Sequence, residues 1–285
     1  MALGAHLIWG LLPLYLLLVA HVPAFEFVGW RVLFSLPLCL VILVVRRQLP
    51  ELRAALTDWR MLRILLCSAV LIAANWLIYV AAIQAGQIYA ASFGYYIAPI
   101  MQVLAGTALL GERLSPRQWL AVGLATGGVV LLGWGELDVL WIGLSLAVTW
   151  SAYGLIRKLT PVGSLPGLTV EALVLSPFAI AVVVWYAASP HGSSFGHDLE
   201  TSLLIACAGL LTAIPLLLFA IAARRMDFTL LGMLQFLSPT LVFALGVVVF
   251  GKPLDHWHLA AFVIIWTAIG LFVADLIARN RAVQP

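Results

Sequence analysis

The sequence predicts an all-α polytopic membrane protein with ten transmembrane helices in two inverted five-helix repeats. Three observations predict it. Hydrophobic residues make up 64% of the 285 and charged residues only 9%, with a mean hydropathy of +1.11, whereas soluble domains hold about 45–50% apolar and about 25% charged residues. Apolar stretches of about 17 to 23 residues recur, each able to cross about 30 Å of hydrocarbon at about 1.5 Å per residue. At a constant offset of 140 positions, Pro37 matches Pro177, Pro99 matches Pro239, Gly106 matches Gly246, Gly111 matches Gly251 and Leu114 matches Leu254. If each copy holds an odd number of spans, the second lies upside down relative to the first.

The expected spans run in order from 2–20, which is apolar at once and has no Lys or Arg ahead of it. With no clear small-residue cleavage pattern, it reads as a retained helix rather than a signal peptide. Next come 24–45, with Arg31 inside it and Glu26 at its outer, interfacial end, and 61–83, where Asn75 and Tyr79 stand one turn apart beside Trp76. Span 88–110 places Ser92, Tyr95, Pro99, Gln102 and Gly106 on one helix face by spacings of three and four. Span 116–134 carries Gly123 and Gly127 as a GxxxG, which permits helix pairing within the chain or across a homodimer. The second copy follows as 138–156, 168–188, 201–222, 229–250 and 257–277. Its fourth span repeats the striped face as Gly232, Gln235, Pro239, Val242 and Gly246. The repeats are therefore 2–134 and 138–277, followed by a tail over 278–285. The longest connections, around 46–60 and 189–200, read as linkers, which leaves no room for a soluble or β-rich module.

Charge placement sets the expected orientation. With the N-terminus in the cytoplasm, every Lys and Arg except Arg31 and Lys252 falls on the cytoplasmic side, the side that positive residues favour. Both termini are then cytoplasmic. This explains the net charge of +3 without an acidic or nucleic-acid partner. It also explains why Gln84-Ala85 becomes Arg224-Arg225 in the second copy while Glu112-Arg113 becomes Lys252-Pro253: inversion exchanges the loops that face the cytoplasm.

The candidate functional residues are those that hydrocarbon does not tolerate. Asn75 needs partners for its amide, and they must come from a helix, water or a solute. The two striped faces should point at protein or water, with Pro99 and Pro239 as hinge candidates. Packing alone would account for Pro and Gly there but not for Gln102 and Tyr95. Trp76 and Tyr79 serve either as belt residues or as cavity wall. In the first helix of each copy, His6, Trp9 and Pro13 share a face, as do Trp150, Tyr153 and Arg157. An aromatic cavity with a few polar groups suits a planar or amphipathic solute. Arg31 and Glu171 occupy equivalent positions in the two copies. A charge at such depth points to function by default, although Arg31 has the alternative of snorkelling and Glu171 that of lying among headgroups. Inversion places the two towards opposite sides and speaks against a direct ion pair.

Other chemistry lacks support. Cys39, Cys67 and Cys207 each lie in a span without CxxC or metal spacing. His256 and His258 beside Asp255 make poor metal geometry, so no metal is expected. There is no Walker A, dinucleotide loop, HExxH or GxSxG, so neither a cofactor nor an enzymatic activity is expected.

Asn75-Trp76 with Tyr79, Ser92 with Gly94-Tyr95-Tyr96, Pro99 and Gly111-Glu112-Arg113-Leu114 resemble the RarD group of EamA permeases in the drug/metabolite transporter superfamily. So do Trp9-Gly10 with Pro13-Leu14-Tyr15, Arg224-Arg225, and Leu234-Gln235-Phe236 with Pro239-Thr240. The resemblance covers nearly the whole chain and implies ten helices around a central cavity in the bacterial inner membrane. The chain departs from the family pattern at Gly251-Lys252, where the second copy usually ends in Gly-Glu.

The expected function is a secondary permease that exports a small organic solute by alternating access. Trp9, Trp76, Tyr79, Tyr95 and Tyr153 would wall its site, and Asn75, Ser92, Gln102 and Gln235 would orient polar groups. The solute would lie between the third, fourth, eighth and ninth spans. Coupling to protons through Glu171, exchange and plain facilitation all remain open. The rival reading is a non-transporting membrane scaffold or an intramembrane enzyme.

Overall fold

The computed structural model describes residues 1–133, 140–190, 192–249, 251 and 256–283, and the regular elements among them are helices. They are α1 (Ala2–Leu18), α2 (Ala24–Val45), α3 (Leu49–Thr57), α4 (Trp59–Gln84), α5 (Ile88–Leu110) and α6 (Pro116–Leu132), followed by α7 (Leu140–Leu159), α8 (Ser164–Ala187), α9 (Leu199–Arg225), α10 (Phe228–Gln235), α11 (Leu237–Val248) and α12 (His256–Val283). Lys252, Leu254, Asp255 and the side chain of His258 lie outside the described residues.

Seven spans are long and apolar enough to cross a membrane among the described residues: α2, α4, α5, α8, α9, α10 taken with α11, and most of α12. The shorter α1 is apolar throughout. Side chains that leave the core are apolar as well, among them Phe178, Val184, Trp185 and Val248. Lipid rather than water meets such a surface. The chain is a multi-pass membrane protein.

Local chemistry sets the helix ends. Asp58 opens α4 by accepting from the backbone N–H groups of Arg60 and Met61 at 2.8 and 3.2 Å. Ser115 and Gln118 close a reciprocal capping box on α6, with Pro116 at its first turn. Gly111 ends α5 at φ 69°, a left-handed position that suits glycine. Asp198 caps α9 by accepting from Thr201 N–H at 2.7 Å, and these hydrogen bonds hold its carboxyl below the usual carboxylate range.

Two connections expected as linkers are built structure. Within 46–60, α3 starts with Pro50 in its first turn and buries Leu52 and Ala55 against α8 and α4. A nine-residue amphipathic helix is too short to register as an apolar run. The 192–198 segment folds back over the start of α2. There Glu26, expected at the interface, is fully buried and accepts from Ser193 Oγ (2.6 Å), Ser194 N–H (2.8 Å), Ser194 Oγ (2.8 Å) and Trp30 Nε1 (3.3 Å). Phe195 seals this cap against Trp30 and Phe34.

The expected ninth span is divided at Phe236 into α10 and α11. Pro239 lies in the first turn of α11 and cannot donate to the carbonyl of Gln235, which ends α10. Pro99 produces no such division, since α5 runs unbroken around it.

Helix neighbours come in matched sets. α2 packs on α8, α6 on α12, and α5 on α10. The α5–α7 contact is answered by α1 against α11 and α10, α4–α7 by α1–α9, and α2–α9 by α4–α8. Gly123 and Gly127 face open space, whereas the neighbouring Gly128 lies against Ile265 of α12. The GxxxG therefore does not make the α6–α12 contact.

Candidate functional site

A cavity with about 620 Å³ of empty volume, solvent at its opening included, lies inside the bundle. α1 lines it with His6, Trp9 and Leu12, α2 with Arg31, α4 with Asn75, Trp76 and Tyr79, and α5 with Ser92 and Tyr95. Trp150 of α7, Gln235 of α10 and Ser238, Pro239 and Val242 of α11 complete it. On α2, α4 and α5 these residues fall within about three turns of the end away from the Arg-rich loops. We call the opposite end, which carries Arg46, Arg47, Arg53, Arg113 and Arg224, the basic end.

Apart from Pro99, which lies at the α5–α10 crossing by Gly232, the sequence-derived candidates divide into three groups. Trp9, Arg31, Asn75, Trp76, Tyr79, Ser92, Tyr95, Gln235 and Pro239 line the cavity. Gln102 and Tyr153 are fully buried one layer behind it. Gln235 Nε2 donates to Gln102 Oε1 and Gln235 Oε1 accepts from Trp150 Nε1 at 2.6 Å, so an amide pair joins α5 to α10 and α7. Tyr153 packs on Trp150 and Phe219 and donates to Glu171 Oε2 at 3.4 Å. Glu171 borders a second, smaller cavity with Trp76, Thr212 and Ser35. No α9 side chain lines the main cavity. Phe219 instead packs behind Trp9 and Trp150, at ring-centroid distances of 5.8 and 4.8 Å.

Asn75 uses its whole amide on protein. Nδ2 donates to Leu146 O at 3.0 Å and Thr149 Oγ1 at 2.9 Å, and Oδ1 accepts from Tyr95 O–H at 2.9 Å. It ties α4, α5 and α7 together and fixes the Tyr95 ring, which meets Tyr79 edge-on at 5.4 Å. His6, Trp150, Ser238 and Val242 are lining residues that the candidate set omitted. His6 and Trp150 already shared faces with Trp9 and Tyr153. Ser238 sits beside Pro239, and Val242 belongs to the α11 stripe.

The stripe of α5 does two different jobs along its length. Towards its start, Ser92 and Tyr95 are wall. Towards the basic end it is a seal: a Cβ at Gly232 would stand 2.9 Å from Pro99 O, and one at Gly106 would stand 2.7 Å from Glu112 Oε2 and 2.8 Å from Thr229 Cγ2. Glycine is required at both crossings for α5 and α10 to meet. Glu112 then accepts from Phe228 N–H and Thr229 N–H at 2.7 and 2.8 Å, satisfying orphan donors at the start of α10. Lys158 stands 3.9 Å from Glu112 and donates to the carbonyls of Met226 and Ala223 at 2.8 and 3.3 Å, closing the end of α9. Arg224 donates to Thr160 O and Val162 O.

Two arginines are buried with contrasting partners. Arg157 pairs with Glu171 at 3.5 Å and donates to Ser164 O at 2.9 Å, while Ser68 Oγ donates to the same Glu171 oxygen. Arg31 donates from Nε to Thr212 Oγ1 at 2.8 Å and lies 4.8 Å over the Trp76 ring. The arrangement sets fixed polar groups among aromatic rings.

The EamA-like transporter family matches residues 1–134. An uncharacterized transporter of Pseudomonas aeruginosa is 39% identical to the chain over 96% of it and 92% of that protein. Protein RarD of Salmonella typhimurium is 38% identical over 99% of the chain and 96% of its own length. A solved crystal structure, 21% identical, shares the fold with a TM-score of 0.73 over 98% of this chain and 97% of that one. On the near-full-length identity to these relatives and the match to the first half, the chain is a membrane transporter and belongs to the RarD group of the EamA transporter family.

Proposed function

We propose that this transporter is a secondary permease that exports a small organic solute by alternating access, through ten spans in two inverted repeats. The repeats are 2–134 and 138–277, with α1, α2, α4, α5 and α6 answered by α7, α8, α9, α10 with α11, and α12. The matched helix contacts and the 140-residue offset support that pairing. The basic end faces the cytoplasm, where both termini lie, because Lys and Arg gather there.

One observation carries the reading. The cavity sits on one side of a seal, and wall and seal belong to the same pair of helices, α5 against α10 and α11. With the basic end inside, this is an outward-facing arrangement. Transport requires that seal to open while the halves close at the other end. Asn75 positions Tyr95, and the division at Phe236 is where α10 and α11 change their angle. A scaffold has no need of a polar-lined cavity beside a glycine-dependent crossing.

The test is tracer flux in proteoliposomes of the purified protein, with chloramphenicol, aromatic amino acids and other small metabolites, with and without a pH gradient. Saturable flux above empty liposomes is expected. Flux indifferent to pH and to uncouplers would remove a proton role for Glu171. Absence of saturable flux across the panel in a well-folded preparation would favour the scaffold.

A further inference from the structure

We infer that the solute held in this cavity carries an anionic group, a carboxylate in the simplest case, which is bound by Arg31, and that its body is flat and apolar. The inference rests on the permease reading and adds the substrate class to it. Arg31 is 3% exposed and lies about two turns into α2. A guanidinium cannot shed its charge, so burial has to be compensated by a partner.

The protein supplies only a partial one. Thr212 is neutral, and its own hydroxyl proton is donated to Ala208 O at 2.6 Å, so it accepts from Arg31 Nε and does nothing more. Trp76 offers a ring face. Among the described residues no carboxylate lies within 4.0 Å of Arg31, and Nη1 and Nη2 have no acceptor. The two terminal nitrogens form a planar fork, which a carboxylate accepts in bidentate fashion. The surrounding wall is Trp76, Tyr79 and Tyr95, which suits a ring or a conjugated plane attached to that anion.

A second feature marks the other end of the solute. Ser238 Oγ donates to His6 O at 2.9 Å and stands 3.0 Å from His6 Nδ1. Nδ1 is occupied by that pair. Nε2 is buried without a partner, as is Ser92 Oγ, and both residues line the cavity. The site therefore offers a fork of donors at Arg31 and an unpartnered ring nitrogen at His6. It complements a solute with a carboxylate and a separate hydrogen-bonding group on an aromatic body.

The test compares indole-3-propionate with its neutral amide, indole-3-propanamide, since the two share the ring and its N–H. Binding to the solubilised full chain and tracer flux in proteoliposomes are measured for the wild type, Arg31→Gln and Arg31→Lys. The wild type should bind the acid at least about tenfold more tightly than the amide, the range of one charge-assisted hydrogen bond. Arg31→Gln should lose that preference and Arg31→Lys should keep part of it. Equal binding of acid and amide by the wild type, a preference undiminished in Arg31→Gln, or no saturable binding of the acid would each overturn the inference. The acid–amide comparison in the wild type does not depend on any variant folding. Saturable acid binding without flux would leave the anion site standing and sink the permease reading. Saturable amide flux with no preference for the acid would do the reverse.

Discussion

Arg157 and Arg31 are buried to nearly the same degree, at 1% and 3% exposure, yet they sit in opposite electrostatic settings. Arg157, near the basic end, has Glu171, a backbone carbonyl and a network that includes Ser68 and Tyr153. Arg31, on the cavity wall, has a hydroxyl and a ring face. A charge that the protein neutralises internally holds helices together, here α7 and α4 against α8. A charge that it leaves without a counter-ion is free to meet something that comes and goes. The same contrast runs along α5, whose stripe is locked to α10 near Gly106 and open to the cavity near Ser92.

The contrast can be broken most forcefully at the paired arginine. Arg157→Leu leaves Glu171 as an uncompensated buried charge and should cost about 3–5 kcal/mol, seen as a large fall in the melting temperature of the solubilised protein. Replacing Glu171 by Leu as well should recover part of it. A single variant as stable as the wild type would mean that the pair is not structural.

At the seal, Gly106→Val drives a side chain into the Glu112 carboxylate and Thr229, an overpacking cost of about 1–3 kcal/mol. Stability and flux should fall together, because the latch on α10 is displaced. Unchanged flux would show that this crossing is not a moving part.

Asn75→Leu strands the Tyr95 hydroxyl and removes the tie to α7, at a similar or smaller cost of about 1–3 kcal/mol. Flux should drop through a misplaced ring. Tyr95→Phe should reproduce much of the transport defect with less loss of stability, and a normal Tyr95→Phe flux would detach Asn75 from the site.

Arg31→Gln should change stability least, by under about 1 kcal/mol or in the stabilising direction, because it removes a desolvated charge with no acid to strand. A melting temperature lowered as far as that of Arg157→Leu would place both arginines in the structural class.

Much of this was legible before the fold. The apolar runs marked a helical multi-pass membrane protein, and the spacing of three and four on α5 marked the face that became both wall and seal. Pro239 marked the place where its helix divides, but Pro99, its match in the other copy, marked nothing of the kind. A proline's effect depends on whether neighbouring helices re-satisfy the freed carbonyl, which spacing does not report. The Arg157–Glu171 pair was missed although a signal existed: one residue ends α7 and the other lies in the early turns of α8, so consecutive antiparallel helices bring them level. Asn75 read as a group that must meet a helix, water or a solute, and the answer lies with partners distant in sequence, on α5 and α7. Which polar atoms remain unpaired is settled by tertiary packing: His6 Nε2, Ser92 Oγ, Gln102 Nε2 and Arg157 Nε are buried without a partner, and Arg31 has a hydroxyl but no carboxylate among the described residues.

The most direct measurement of the central claim sets transport and stability side by side for the two arginines: flux of indole-3-propionate into proteoliposomes, and the melting temperature of the same preparations, for the wild type, Arg31→Gln and Arg157→Leu. The account predicts saturable wild-type flux that is lost in Arg31→Gln at unchanged melting temperature, with the large melting shift confined to Arg157→Leu. Wild-type flux that survives intact in Arg31→Gln would contradict it.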